Sequence, residues 1–222
     1  VVGRTSFKRA FSFEWITMDF IIIVLILVVL VAAFLWWRNK QGLATSVSKE
    51  QPDALILENV DVGGVLHVSL MEEPYLDYKL VITGKNKYQE GKYQWFEIVG
   101  DNGGERVSIE YERDDELEVS LQIERPKLRE LSITKDDLAH FDDEEDGSFS
   151  YKGITFYYED SGEAVFYRNC DPGDTEKCYY WDFESKDGKH LIGCEMWSDG
   201  SVEVTYSISV KETNIEVLSL KG

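Results

Sequence analysis

Positive charge is what this 222-residue chain has too little of: 23 Lys+Arg stand against 42 Asp+Glu, a net charge of −19. A nucleic-acid binder needs a surplus of Lys and Arg to displace phosphate counterions, so that class is excluded. Only 3 cysteines occur, an odd number with no Cys-x-x-Cys pair, which argues against a thiolate zinc site. Cys170 and Cys178 flank the turn-rich CDPGDTEKC loop and are read as thiols near a hairpin, although an oxidising compartment would permit a bridge. The 3 histidines, His67, His140 and His190, are scattered without ligand spacing, and Gly63-Gly64 and Gly103-Gly104 lack the Lys and helix of a phosphate loop. With no positioned nucleophile, base or metal signature, the expectation is a protein that is not an enzyme and carries no cofactor. At 13%, aromatics are too many for a chain without a core.

Apolar residues are concentrated in one place. From Phe20 to Trp37 the chain reads FIIIVLILVVLVAAFLWW, without a charge. That approaches the ~20 apolar residues needed to cross ~30 Å of hydrocarbon. Trp36 and Trp37 stand where an interfacial aromatic belt belongs, and Arg38 and Lys40 follow at headgroup level. The run is too long for a signal-peptide core and ends in Trp-Trp-Arg rather than small residues. A transmembrane helix is therefore expected over residues 16–38, after a tail at 1–15. Lys/Arg counts on its two sides tie, but the charges nearest the bilayer follow the helix, placing the C-terminal domain on the cytoplasmic side. Within the tail, Phe7, Phe11, Phe13 and Trp15 with Lys8 and Arg9 fit either an interfacial segment or an unstructured end.

The remainder is the acidic part. After residue 50 there are 17 Lys+Arg and 39 Asp+Glu, a net charge of −22. An acidic domain beside an anionic leaflet is repelled by it, so cations or a basic protein surface are the sensible partners. Beyond a linker at 39–54 the pattern alternates as strands do, punctuated by Asp101-Asn102-Gly103-Gly104, Asp187-Gly188 and Asp199-Gly200. Strands are expected at 65–70, 76–83, 93–99, 107–111 and 117–123, then at 154–159, 164–169, 179–185, 190–197 and 202–210. The two sets repeat. Trp95-Phe96-Glu97-Ile98 answers Trp181-Asp182-Phe183-Glu184, Glu110 answers Glu195, Glu118-Val119-Ser120 answers Glu203-Val204-Thr205, and Leu131-Ser132-Ile133 answers Leu218-Ser219-Leu220, at offsets of 85 to 87. The expected fold is mainly β: two repeated antiparallel units, 55–134 and 149–222, packed as a tandem small barrel or sandwich. The run Asp142-Asp143-Glu144-Glu145-Asp146 lies between them, in a stretch (135–148) read as a solvated acidic linker. Its twelfth position as a calcium loop is Gly153, not the Glu that such a loop requires.

Val62-Gly63-Gly64-Val65, Tyr93-Gln94-Trp95-Phe96-Glu97-Ile98, Val107-Ser108-Ile109-Glu110 and the Leu191–Gly200 segment resemble the uncharacterised bacterial family called domain of unknown function 4178. The resemblance covers nearly all of the chain after Ala54 and implies no catalytic chemistry. It does imply a context of accessory proteins that accompany small membrane proteins and polyamine-synthase-like enzymes. The primary expectation is thus a membrane-anchored accessory or scaffolding subunit that contacts another integral membrane protein. The alternative is a binder of cationic small molecules, polyamine or divalent cation. For that role the repeat-matched carboxylates Glu97, Glu110, Glu184 and Glu195 are the candidate ligands, the competing reading being charges that guard sheet edges against aggregation. Trp95, Trp181 and Trp197 are expected in the core.

Overall fold

The structure, a computed structural model, describes residues 54–71 and 75–221. They fall in one compact unit, Pro52–Gly222. The stretch expected to cross the membrane, with Phe20, Trp36, Trp37, Arg38 and Lys40, lies outside the described residues, as do the tail and most of the linker. Among the described residues no helix is long and apolar enough to cross a membrane.

Five strands form an antiparallel meander in the first half: β1 (Gly63–Leu70), β2 (Leu76–Glu90), β3 (Tyr93–Asn102), β4 (Glu105–Arg113) and β5 (Leu117–Glu124). Five more repeat the order in the second: β6 (Ser148–Tyr151), β7 (Ile154–Tyr167), β8 (Thr175–Ser185), β9 (His190–Trp197) and β10 (Val202–Ser209). A last strand, β11 (Ile215–Lys221), returns to pair with β1. The repeat is therefore real in topology, but the two halves are not separate units stacked face to face. They belong to one eleven-stranded sheet, because β5 hydrogen-bonds to β10. Joining the halves edge to edge satisfies the two strand edges that separate units would leave open.

A second junction bends the sheet into a ring. Near its start β2 pairs with β1, and after the bulge between Ile82 and Gly84 its residues Lys87–Gln89 pair with Val165–Tyr167 of β7. β7 does the same in mirror fashion, pairing with β6 at Ile154–Tyr157 and with β2 after its own bulge between Tyr158 and Asp160. A bulge sharpens twist and bends a strand, which lets each long strand serve two partners. The result is a closed circuit of eight strands, β2-β3-β4-β5-β10-β9-β8-β7. What reads as two strands at 154–159 and 164–169 is thus one bent strand.

Strand alternation then sorts the side chains. The outward faces of β2 to β5 carry Leu80, Ile82, Ile98, Ile109 and Leu121, packed with Leu66, Val68 and Val217 of β1 and β11. On the other half, Phe156, Phe183, Ile192, Cys194 and Val204 pack beneath the segment 128–141. Each such side chain contributes ~1.5–3 kcal/mol on burial, so the fold rests chiefly on these two cores outside the ring, with a third, smaller cluster of Tyr88, Ala164, Phe166, Cys178 and Tyr180. Trp181, 4% exposed, belongs to the second of these cores as expected.

The stretch 135–148 is not simply a linker. It holds a helix, α1 (Lys135–Glu144), started by a capping box in which the Thr134 hydroxyl accepts from the Asp137 backbone N–H while the Asp137 carboxylate accepts from that of Thr134. Leu138 plugs it into the second core, and Asp142 accepts hydrogen bonds from Ser161 and, at 3.0 Å, from Tyr179. Glu145 ends the helix in the left-handed region at φ 50°. Of the acidic run expected as a solvated linker, Asp142, Asp143 and Glu144 therefore lie in the helix, the last two on its exposed surface. The match between Leu131-Ser132-Ile133 and Leu218-Ser219-Leu220 also fails: Leu131 and Ile133 are buried, whereas Leu218 is exposed on β11 and Val217 points inward.

Candidate functional site

All eight strands of the ring contribute to the wall of one cavity of about 1040 Å³. Eight-stranded closed sheets are wide enough to enclose one small ligand. Because the apolar faces point outward into the cores, the inward face is polar. Along β4, for instance, Val107, Ile109 and Tyr111 face the core while Ser108, Glu110 and Glu112 face the cavity. Twelve acidic side chains line the space against four basic ones.

The cross-strand register places the carboxylates in rows. Glu97 of β3 lies directly opposite Glu110 of β4, and Asn86 of β2 lies opposite Glu97 and donates to it at 2.8 Å. From the other half, Glu195 of β9 lies opposite Glu203 of β10, and it accepts from the Tyr88 hydroxyl at 3.4 Å. Asp182 of β8 faces Glu110 across the ring, and its field also acts on Glu195. Arg125, following β5, reaches Glu97 and Glu203 at 3.6 Å each, which ties the two halves together beside the cavity.

Enclosure perturbs these acids. Glu110 and Asp182 are exposed toward the cavity, and the ring of strands surrounds them. Desolvation, then the facing Asp182 and Glu195, hold the Glu110 carboxyl well above the usual range. Desolvation and then Glu97 raise Glu195 to about 8. Asp182 is raised to about 7 by desolvation, then by Asp160 and Glu112.

One wall is aromatic. Tyr88 stacks on Trp95 with centroids 5.2 Å apart, and Trp95 meets the edge of Tyr180 at 5.4 Å. Phe166 packs against Tyr88 at 5.0 Å and against Trp197 at 5.4 Å. Trp95 and Trp197, expected in the core, pack half-buried against the cluster of Tyr88, Ala164, Phe166, Cys178 and Tyr180 and also line the cavity. Nearby, Ser108 is 5% exposed, lines the cavity, and has no hydrogen-bond partner for its hydroxyl among the described residues.

All four predicted carboxylates line this cavity. Glu97, Glu110 and Glu195 come together; Glu184 lies apart, its acidic neighbours being Glu159 and Glu118. None is an edge charge, since the strands that carry them are paired on both sides. The sequence reading missed Asp182, which occupies the place given to Glu184. Matching Trp95 to Trp181 caused this, because a slip of one residue exchanges the faces of a strand. Matched by face, Trp95 answers Tyr180, Glu97 answers Asp182, Glu110 answers Glu195 and Glu118 answers Glu203. Every pair has an offset of 85 and every member lines the cavity. That constant offset was the signal available.

The other candidate groups are structural. His67 bonds to Asp77 at 2.6 Å on the outer face of β1, and His190 bonds to the Tyr206 hydroxyl at 2.8 Å. Cys170, Cys178 and Cys194 are free thiols, and burial pushes both Cys178 and Cys194 up to about 12. Among the described residues no three His, Cys, Asp or Glu side chains converge as ligands for one metal ion. The arrangement suits an extended cation whose charges are spread over several carboxylates and whose carbon skeleton lies on aromatic rings.

No curated protein and no solved structure was found to match the chain. Residues 75–212, more than half of its length and all eight strands of the ring, match the family model described as Domain of unknown function (DUF4178), and the chain belongs to that family.

Proposed function

We propose that the ring interior binds an organic polycation, with a polyamine the best fit. The observation that carries this reading is the convergence of Glu97, Glu110, Asp182 and Glu195 from four strands inside one closed circuit, beside the Tyr88–Trp95 wall. Carboxylates in a partly desolvated space attract ammonium groups far more strongly than they do at a surface. Aromatic faces add ~0.5–2 kcal/mol for each cation they cover and also accept methylene groups. A bare divalent ion fits less well: it needs several oxygens at 2.0–2.6 Å, whereas here the acids are strung along separate strands.

The apolar stretch 20–37 supports a membrane tether for this unit, with the binding domain on the cytoplasmic side, and an accessory role beside another membrane protein is compatible with it. The described residues add no argument for a particular protein partner.

Thermal unfolding of the full-length chain with and without spermidine tests the reading. Binding at ~100 times Kd stabilises by ~2.7 kcal/mol, which raises the melting temperature by roughly 5–10 °C. The rise is expected to vanish in Glu110→Gln plus Glu195→Gln and to persist in Glu163→Gln, whose carboxylate pairs with Lys177 on the surface. An equal rise in all three proteins would refute the site.

A further inference from the structure

Of the carboxylates gathered in the cavity, three have no counter-charge among the described residues. Arg125 pairs with Glu97 and Glu203, and among the described residues no ion pair reaches Glu110, Asp182 or Glu195. What surrounds these three is mostly more acid. Glu110 on β4 meets Glu97 on β3, Glu112 on its own strand, and Asp182 and Glu195 across the ring. Asp182 on β8 meets Asp160 on β7 and Glu112 on β4. Glu195 on β9 meets Glu203 on β10 and Glu97, with the Tyr88 hydroxyl its one donor. The un-ionised thiols of Cys178 and Cys194 complete its surroundings. Like charges gathered on the wall of one cavity favour retaining and sharing protons over full ionisation.

A second, independent feature marks the space as one prepared for a ligand. The Ser108 hydroxyl, buried and aimed into the cavity, has no partner among the described residues. Buried polar groups are normally satisfied. A ligand N–H within the ring would supply the missing bond.

We propose that this site exchanges protons for its cationic ligand: the empty cavity holds shared protons on Glu110, Asp182 and Glu195, and an arriving ammonium group displaces them to the solvent. The inference rests on the cation-binding reading above and adds its regulation. Occupancy follows pH as well as ligand concentration, because cation and proton compete for the same carboxylates. Acidification empties the site and alkalinisation fills it.

Isothermal titration of spermidine into the full-length chain in detergent, in two buffers of different ionisation enthalpy, tests this. From about pH 6 to about pH 7 the amines of the probe stay protonated, so released protons come from the protein. The expected result is a buffer-dependent heat equivalent to about one to two protons released per ligand, with binding about tenfold tighter per pH unit for each proton released. Glu195→Gln is expected to lower the proton count by about one, and Glu163→Gln to leave it unchanged. Binding whose heat is independent of buffer would overturn the exchange and leave the binding site standing. Absence of binding at both pH values would overturn the cation reading itself, so the two failures are distinguishable.

Discussion

Two side chains and one missing side chain carry much of the account at the scale of residues. A Cβ on Gly64 would lie 2.7–2.9 Å from the backbone oxygens of Leu220, Asp61 and Ser219. Backbone cannot retreat as a flexible side-chain end can, so Gly64→Ala is expected to cost ~1–3 kcal/mol in denaturant unfolding. This gives the Gly63-Gly64 motif a structural role where β11 closes on β1. Glu195 has the opposite character, because it is destabilising in the empty protein. Its carboxyl sits at about 8 when folded, against about 4.5 when unfolded. The folded state therefore binds the proton more tightly, and stability falls as pH rises between those values. The melting temperature of the ligand-free protein should drop from pH ~5 to pH ~8. Glu195→Gln should drop less and melt a few degrees higher than wild type at pH ~8. A parallel pair of pH profiles would show that Glu195 is not held protonated. Glu110 and Glu195 were legible in the sequence because both stand in Glu-aromatic strand motifs. Asp182 was hidden by the more conspicuous tryptophan beside it.

Among the elements, α1 and the two long strands were the hardest to read. The Thr134-x-x-Asp137 box and the apolar Leu138 were both present as helix signals. The run of five acids that follows overshadowed them, being better known as a solvated linker. The helix depends on these few contacts. Thr134→Ala should cost ~1 kcal/mol by leaving an N-terminal N–H unsatisfied, and Leu138→Ala ~2–5 kcal/mol by opening a cavity in the second core. Denaturant unfolding of both variants checks the pair; a surface-like cost for Leu138→Ala would mean that α1 does not dock. Strands β2 and β7 alternate cleanly except at Thr83-Gly84 and Glu159-Asp160. There the sequence reading ended one strand and began a gap after the other. Both breaks are bulges, and a local pattern cannot show that a strand continues beyond a bulge to pair with a distant partner. The β2–β7 pairing, and with it the closed ring, joins residues 76 to 80 apart in sequence, Tyr88 and Phe166 among them.

For the whole molecule, the alternating pattern was legible as strands, but the closure that decides which of their faces is enclosed was not. Closure of the ring turns the mostly polar faces of eight strands inward, one aromatic cluster among them, and leaves the two larger cores on its flanks. Much of the −22 carried after residue 50 therefore surrounds an enclosed space rather than serving solubility alone. The most direct test is a crystal structure of the full-length protein with spermidine bound. The account predicts the ligand inside the ring, its ammonium groups within hydrogen-bond distance of Glu110, Asp182 or Glu195 and its methylenes along Trp95. Spermidine on the outer surface, with the cavity unoccupied by it, would contradict the account.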